Sequence, residues 1–447
     1  MEDTIAAIST ALGIGAISII RISGEEALSI VNKVFSGKDL TKVPTHTIHY
    51  GFIIDKKEKI DEVLVSVMKS PKTFTKENIV EINCHGGIAA TNKVLELLIL
   101  NGCRLAEPGE FTKRAFLNGR IDLIESSAIM DLIEAKTELA RKLSINNLIG
   151  NVSNMIKEIR KNILSLLANI EVNIDYPEYE DIEEITVEKI KKELPNIKKR
   201  LEQVVKESAS GKIIKEGINT IILGKPNVGK SSLLNCLLNE EKAIVTDIAG
   251  TTRDVVEGIV NIDGILLKIS DTAGIRKTQN KIEKIGVEKS LSLIEKADLI
   301  LFVLNNNETL TEEDKDILKR IKNKRHIIII NKIDLESKLE LEEENIIRIS
   351  AKENINITLL KEKIKELFNL NKIETKDLNY LTNAESLAKV KKCINKIEEI
   401  EEKIDSTLID MLEIDLKEIW NLLGEVTGEI YQEELIDNLF KQFCLGK

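Results

Sequence analysis

Residues 224–231 read Gly-Lys-Pro-Asn-Val-Gly-Lys-Ser, a full Gly-x-x-x-x-Gly-Lys-Ser phosphate-binding loop. The chemistry of such a loop is anion capture. Backbone N–H groups and a helix N-terminus face the phosphates, Lys230 reaches the β and γ oxygens, and Ser231 offers its hydroxyl to Mg²⁺. Val228, Gly229 and Ser232 complete the contacts around the phosphates. Asn227 adds a side-chain amide that can coordinate a monovalent cation beside them. Such a cation can neutralise charge as an arginine finger does, an effect worth roughly 10³–10⁵ in rate. These roles need a strand ahead of the loop and a helix behind it. The apolar run Ile218 to Leu223 predicts the first, and Ser232 to Leu238 the second.

The base is legible downstream. Asp271-Thr272-Ala273-Gly274 follows the apolar run Leu266 to Ile269, as a metal-side aspartate follows its strand. Ile327 to Ile330 leads into Asn331-Lys332-Ile333-Asp334. A carboxylate at Asp334 can accept from both N1–H and the 2-amino group of guanine. Adenine offers no such pair of donors and would leave the carboxylate unpaired, at a cost of about 1–3 kcal/mol. Ser350-Ala351-Lys352 follows one more short strand, Ile346 to Ile349. In this order the four motifs resemble the G1, G3, G4 and G5 elements of translation-factor-class GTPases, and the nucleotide reads as GTP. Between the first two lies Thr246-Asp247-Ile248-Ala249-Gly250-Thr251-Thr252-Arg253-Asp254, which resembles switch I of one GTPase subgroup. Either Thr251 or Thr252 can serve Mg²⁺; by the resemblance it is Thr252.

Many GTPases orient the attacking water with a glutamine directly after Asp-x-x-Gly. Here that position is Ile275, which cannot hydrogen-bond water. Hydrolysis then needs a partner or another residue. Glu283, just past the polar stretch Arg276 to Lys281, is a candidate, and a solvated helix face is the alternative for the same glutamate.

The chain that holds these groups has 447 residues, enough for two or three domains. Hydrophobic residues at 43% leave ample core. Aromatics at 3% argue against a single-strand RNA platform of stacked rings. A net charge of −10 disfavours nucleic-acid binding by the whole surface, so any RNA contact needs a local patch or a basic partner. The apolar stretch 5–20 starts acidic and is broken by Ser9, Thr10, Gly13 and Gly15, so it reads as strand, loop, strand. No other apolar run approaches a membrane span, and no membrane association is expected. The five cysteines form no Cys-x-x-Cys pair, which suits a reducing cytoplasm.

Residues 1–118 mix strand-like runs (Ile17–Ile22, Val63–Val67, Ile79–Asn83) with helical ones (Glu25–Phe35, Ala89–Leu100), an α+β domain. From 119 to 213 the period is helical, with Ile124, Ile129, Leu132 and Ile133, then Ile156, Ile159, Ile163 and Leu166. An acidic interruption from Asp175 to Asp181 predicts a break at Pro177. The α/β phosphate-loop unit spans 214–372. Helix returns over 373–447, with Ile394, Ile397 and Ile400, then Leu408, Met411 and Leu412. Two helical segments around an autonomous unit predict an all-α domain interrupted by an inserted α/β domain.

Four further blocks carry a family resemblance. Residues 17–24 read Ile-Ser-Ile-Ile-Arg-Ile-Ser-Gly, and 81–87 read Glu-Ile-Asn-Cys-His-Gly-Gly. Residues 107–118 read Glu-Pro-Gly-Glu-Phe-Thr-Lys-Arg-Ala-Phe-Leu-Asn, and the chain ends Phe443-Cys-Leu-Gly-Lys447. With the switch I block, they resemble the MnmE (TrmE) tRNA-modification GTPases over essentially the whole length.

The resemblance implies an N-terminal domain that binds 5-formyl-tetrahydrofolate or a related tetrahydrofolate and forms a homodimer. Folate contacts map to Arg21, Glu81, Arg120 and Lys447. The family pattern has lysine where Arg120 stands, which keeps charge but not geometry. Ala11-Leu-Gly-Ile14 also departs from the family, which usually carries a proline there. Asn227, Thr246, Ile248 and Thr251 are implied as ligands of potassium, and Glu283 as the residue that orients water. Cys444 is implied as a functional thiol near the folate. Its residue-level alternatives are a free structural thiol, or a prenylation signal for which Lys447 is a poor last residue.

The implied activity is potassium-stimulated GTP hydrolysis in a cytoplasmic heterotetramer with an FAD-carrying, MnmG-like partner. The pair would add an aminomethyl-type group at C5 of the tRNA wobble uridine. The rival enzyme reading is a ribosome-assembly GTPase, which needs an RNA-binding appendage. A non-enzymatic rival is a folate-binding scaffold with a vestigial GTPase, against which intact Lys230, Ser231, Asp271 and Asp334 argue.

Overall fold

The computed structural model describes residues 3–175, 180–239, 258–271, 293–368, 370, 380–406, 408–431, 433–441, 443 and 446. The break expected at Pro177 lies outside them. The chain divides into two compact units, residues 1–130, 153–197 and 388–447 in one and residues 131–152 and 198–387 in the other.

The first unit opens on β1 (Ile5–Ile8), β2 (Gly15–Ser23), α1 (Ala27–Val34), β3 (Phe35–Ser36), β4 (Thr47–Asp55), β5 (Glu58–Met68), β6 (Ile79–Gly86), α2 (Ile88–Leu100), β7 (Arg104–Leu105) and α3 (Glu110–Leu117). The strands form one sheet in the order β3-β4-β5-β6-β2-β1-β7. Alternation decides its faces. Ile20, Ile22, Val63, Val65, Val80 and Ile82 are buried with Ile30, Val31, Val94 and Leu98 of the two helices. The neighbouring positions Arg21 and Glu81 face the other way and stand opposite each other across β2 and β6.

The chain continues through α4 (Leu123–Glu134), α5 (Glu138–Leu148), α6 (Asn151–Asp175) and α7 (Glu180–Glu216). Ile124 is buried as its periodicity predicts, but Ile133 is 45% exposed. The buried residue in that turn is Asp131, whose carboxylate is ion-paired to Lys215. In α6 the expected stripe Ile156, Ile159, Ile163 and Leu166 is buried.

In the second unit, β8 (Ile218–Leu223), α8 (Lys230–Asn239), β9 (Gly258–Ile262), β10 (Ile265–Asp271), β11 (Leu299–Asn305), α9 (Glu312–Ile321), β12 (His326–Asn331), β13 (Ile346–Arg348) and α10 (Ile357–Leu367) follow. The sheet order is β13-β12-β11-β8-β10-β9. β8, β10, β11, β12 and β13 run parallel, and β9 is antiparallel to β10. After β8 the chain builds one side of the sheet and then crosses to the other. The loop after β8 therefore sits at the topological switch point, where open α/β sheets bind ligands.

The last helices are α11 (Ala384–Lys403), α12 (Ile409–Thr427) and α13 (Glu433–Phe440). Ile397 and Ile400 are buried as expected, together with Val390 and Cys393. In α12 the buried face is Leu412, Leu416, Ile419 and Leu423, while Leu408 and Met411 are exposed. Lys392 and Lys396 both pair with Glu418, joining α11 to α12. Phe440 and Phe443 then pack beneath Phe116. Among the described residues, no helix is long and apolar enough to cross a membrane.

Candidate functional site

β8 delivers the phosphate loop, and Val228 anchors it by inserting into the sheet core. Lys230 opens α8 and donates to the carbonyls of Gly224 at 2.8 Å and Lys225 at 2.7 Å. That pair of contacts holds its ammonium group against the inside of the loop. Ser231 and Ser232 are exposed in the first turn of α8, where the helix dipole favours an anion. Asn227 is exposed and held at φ +64°, a left-handed conformation that asparagine tolerates better than most side chains. Lys225 is engaged by α9 instead. Its Nζ is 2.7 Å from Asp314 Oδ2, and Asp314 is held below the usual carboxylate range by this ammonium and by Thr311, against its burial.

Asn331 joins the Asn331–Asp334 and Ser350–Lys352 motifs to that loop. Its Nδ2 donates to Val228 O at 2.8 Å, and its Oδ1 accepts from Ala351 N at 3.0 Å. Gly229 is required at this junction. It has φ +99°, and a β-carbon there would lie 2.2 Å from Asn331 Nδ2. Ser350 Oγ donates to Asp334 Oδ1 at 2.6 Å. That hydrogen bond, with help from Lys352 and Lys332, holds the Asp334 carboxyl below its ordinary value. The carboxylate is therefore ionised and exposed, in the form that accepts from a base. Lys332 has φ +66°, and the Lys352 side chain is 81% exposed.

β10 ends at Asp271, which registers with Ile222 near the start of the loop. Thr246, Asp247, Ile248, Ala249, Gly250, Thr251 and Thr252 lie outside the described residues, as do Thr272, Ala273, Gly274, Glu283, Cys444 and Lys447.

In the first unit, two residues expected at a folate, Arg21 and Arg120, meet at Phe74, and a third, Glu81, is paired with Arg21. Arg21 Nε donates to Glu81 Oε1 at 2.8 Å, with both side chains about a fifth exposed. The Arg21 guanidinium carbon is 5.9 Å from the Phe74 ring centre, and that of Arg120 is 4.8 Å from it. The fourth, Lys447, follows Gly446, whose carbonyl accepts from Ser9 Oγ at 3.1 Å. Ser9 stands two residues past Ala7, the strand partner of Arg21. Arg21 and Glu81 are thus paired with each other, so a ligand would exchange with an existing ion pair.

Two arrangements escape the motif reading. Arg114 is fully buried among Asp3, Glu77 and Glu110, and locks the start of the chain to α3. Glu110 is its i,i+4 neighbour on α3, but Asp3 and Glu77 are too far away in sequence to leave a local sign. The link from Lys225 to Asp314 had one available signal, because Thr311-x-x-Asp314 has capping-box spacing and the box forms.

Two family models match the chain: the GTP-binding protein TrmE N-terminus over residues 4–120 and the MnmE helical domain over residues 123–444. The tRNA modification GTPase MnmE of Ligilactobacillus salivarius is 51% identical over 455 aligned residues, covering 100% of this chain and 98% of that protein. The protein of the same name from Streptococcus thermophilus is 52% identical over 450 residues, with 100% and 98% covered. A solved structure of Aquifex aeolicus Era bound to GDP and AlF4⁻ is 29% identical, covers 40% of this chain and 66% of that one, and gives a TM-score of 0.27. With both family models and the full-length identity in agreement with the phosphate-loop motif, the chain belongs to the MnmE (TrmE) family of tRNA modification GTPases.

Proposed function

We propose that this chain is a cytoplasmic, potassium-stimulated GTP hydrolase that works as a homodimer with an FAD-carrying, MnmG-like partner. Together the pair forms a heterotetramer that adds an aminomethyl-type group at C5 of the wobble uridine of certain tRNAs. The observation that carries the reading is the Asn331 junction, which ties Val228 of the phosphate loop to Ala351 beside the Ser350–Asp334 pair.

In the GTPase site, Asp334 accepts from the guanine edge while Ser350 keeps its carboxyl ionised. Lys230 shifts part of its hydrogen bonding from the loop carbonyls to the β and γ oxygens. Ser231 and Thr252 hold Mg²⁺, with Asp271 on the metal side. The exposed Asn227 amide and Ser231 hydroxyl are hard oxygen donors, suited in kind to K⁺ and Mg²⁺. Thr246, Ile248 and Thr251 complete the K⁺ set with Asn227. Glu283 orients the attacking water, the task that Ile275 cannot perform. Hydrolysis drives a conformational cycle rather than the chemistry on the base.

At the first unit, Arg21, Glu81, Arg120 and Lys447 hold a tetrahydrofolate. Their charges suit it, since basic groups pair with its glutamate tail and a carboxylate with its pterin amide. When bound, the folate supplies the one-carbon unit. Cys444 acts there as nucleophile or proton donor.

The test is GTP turnover in matched KCl and NaCl for the wild type and Asn227→Ala. Stimulation by K⁺ that disappears in the variant supports the reading. Equal, slow rates in both salts would reject cation assistance and leave catalysis to another residue or to the partner.

A further inference from the structure

Leu139 packs in two hydrophobic clusters at once. It lies against the GTPase sheet core containing Val260, Ile262, Ile265 and Leu267. It also joins Ala140, Leu143, Ile214 and Tyr380 in a smaller cluster. What it touches on the sheet side is the turn between β9 and β10. Ile262 pairs with Ile265, and Asp263 and Gly264 between them have φ +49° and +92°, the left-handed pair of a two-residue hairpin. A β-carbon at Gly264 would lie 2.9 Å from Leu139 Cβ, so only glycine admits this contact.

The hairpin is a stiff ribbon with distinct ends. Its closed end rests on Leu139. Its open end begins at Gly258, shortly after the Thr246–Asp254 motif, and finishes at Asp271. The helix that carries Leu139 is itself fastened. Thr137 caps α5 by accepting from Ala140 N at 3.1 Å, and Asn147 Nδ2 donates to Tyr380 O at 3.0 Å. Leu381 N donates to Ser208 Oγ at 2.9 Å. α5 is thus tied to the segments by which the chain enters and leaves the GTPase sheet.

We propose that Leu139 is a positioning residue for GTP hydrolysis. It seats the β9–β10 turn on α5, so a hairpin shift between the GDP and GTP states reaches α5, and α5 in turn sets the placement of Asp271. Coupling of this kind is reciprocal. The inference rests on reading Asp271 and residues 246–254 as the groups that sense the nucleotide.

The experiment is hydrogen exchange of amides 138–148 in the full chain, with GDP and with a non-hydrolysable GTP analogue. Wild type, Leu139→Ala and Leu139→Met are compared, with kcat and GDP affinity measured for each. Wild type and Leu139→Met should change protection with the nucleotide. Leu139→Ala should lose that response and roughly 2- to 30-fold in kcat, with GDP affinity within about twofold of wild type. Identical protection in both nucleotides for the wild type overturns the proposal, as does an alanine variant that keeps the response. A parallel loss of kcat and GDP affinity indicates general loosening and overturns it too. Asp271→Ala separates the two levels: if it retains turnover, the site reading beneath the inference has failed.

Discussion

Lys225, the second residue of the phosphate loop, is ion-paired at 2.7 Å with Asp314, whose side chain is only 5% exposed in the first turn of α9. The same carboxylate accepts from Thr311 N at 3.0 Å and Thr311 Oγ1 at 2.8 Å. One buried group therefore caps a helix and anchors the loop whose carbonyls meet Lys230. Lys225→Ala and Asp314→Asn should each weaken GTP binding. In a double-mutant cycle on GTP affinity they should couple by about 0.5–3 kcal/mol. Additive losses would mean that the pair does not position the loop.

Asp334→Asn should move base preference from guanine toward xanthine, because the amide offers a donor where the base requires an acceptor. Ser350→Ala removes the hydroxyl that stabilises the carboxylate and should cost a smaller amount, about 0.5–1.5 kcal/mol in GTP affinity. Competition binding with GTP and xanthosine triphosphate checks both; unchanged GTP affinity in Asp334→Asn would remove that residue from the base site.

Arg21→Ala should weaken tetrahydrofolate binding and leave GTP affinity unchanged. Arg120→Lys keeps the charge but loses the broad guanidinium face over Phe74, worth about 0.5–1 kcal/mol at an exposed site. Calorimetry with 5-formyl-tetrahydrofolate reads both. Equal affinity in Arg21→Ala would separate the Phe74 cluster from folate.

His85 supplies a pH test. Its Nδ1 is 2.6 Å from Asp61 Oδ1, and its backbone N–H donates to Asp61 Oδ2 at 2.8 Å. The hydrogen bond to Asp61 and its charge raise the imidazole above its ordinary value of 6.5. The native chain thus holds this proton more tightly than the unfolded one. The stabilisation is complete below pH about 6.5 and fades as pH rises through the raised native value. His85→Gln should remove that component from the pH dependence of Tm. An unchanged Tm profile would show that the pair contributes nothing to folding.

The strands and helices around the phosphate-loop motif were readable because apolar runs and motifs coincide there, as at Ile218–Leu223 and Ile327–Ile330. Strand β4 was not. Its buried positions hold His49, Gly51 and Ile53, while Ile48 and Tyr50 face outward, so the usual alternation is inverted. Gly51 is small because the Phe35 ring and Ser36 O occupy the space beside it. In α12, Leu408, Met411 and Leu412 have helical spacing but only Leu412 is buried, since period alone does not say which of two adjacent faces meets a neighbour. The grouping of Arg21, Glu81 and Arg120 came from family resemblance. Phe74, which draws two of them together, carried no motif of its own. Long-range ion pairs such as Arg114–Asp3 have no local pattern at all.

The first unit is stitched from widely separated stretches, and that has a consequence for biosynthesis. Lys113 pairs with Asp437, Arg160 reaches the carbonyl of Trp420, and Phe440 and Phe443 complete the cluster around Phe116. A chain emerging from the ribosome can assemble the N-terminal sheet early, because those strands are close neighbours in sequence. Phe116 and its apolar surroundings must then wait, uncovered, through synthesis of the entire GTPase unit. The nascent protein therefore carries a sticky surface until its last helices arrive, and chaperone protection should matter most in that interval.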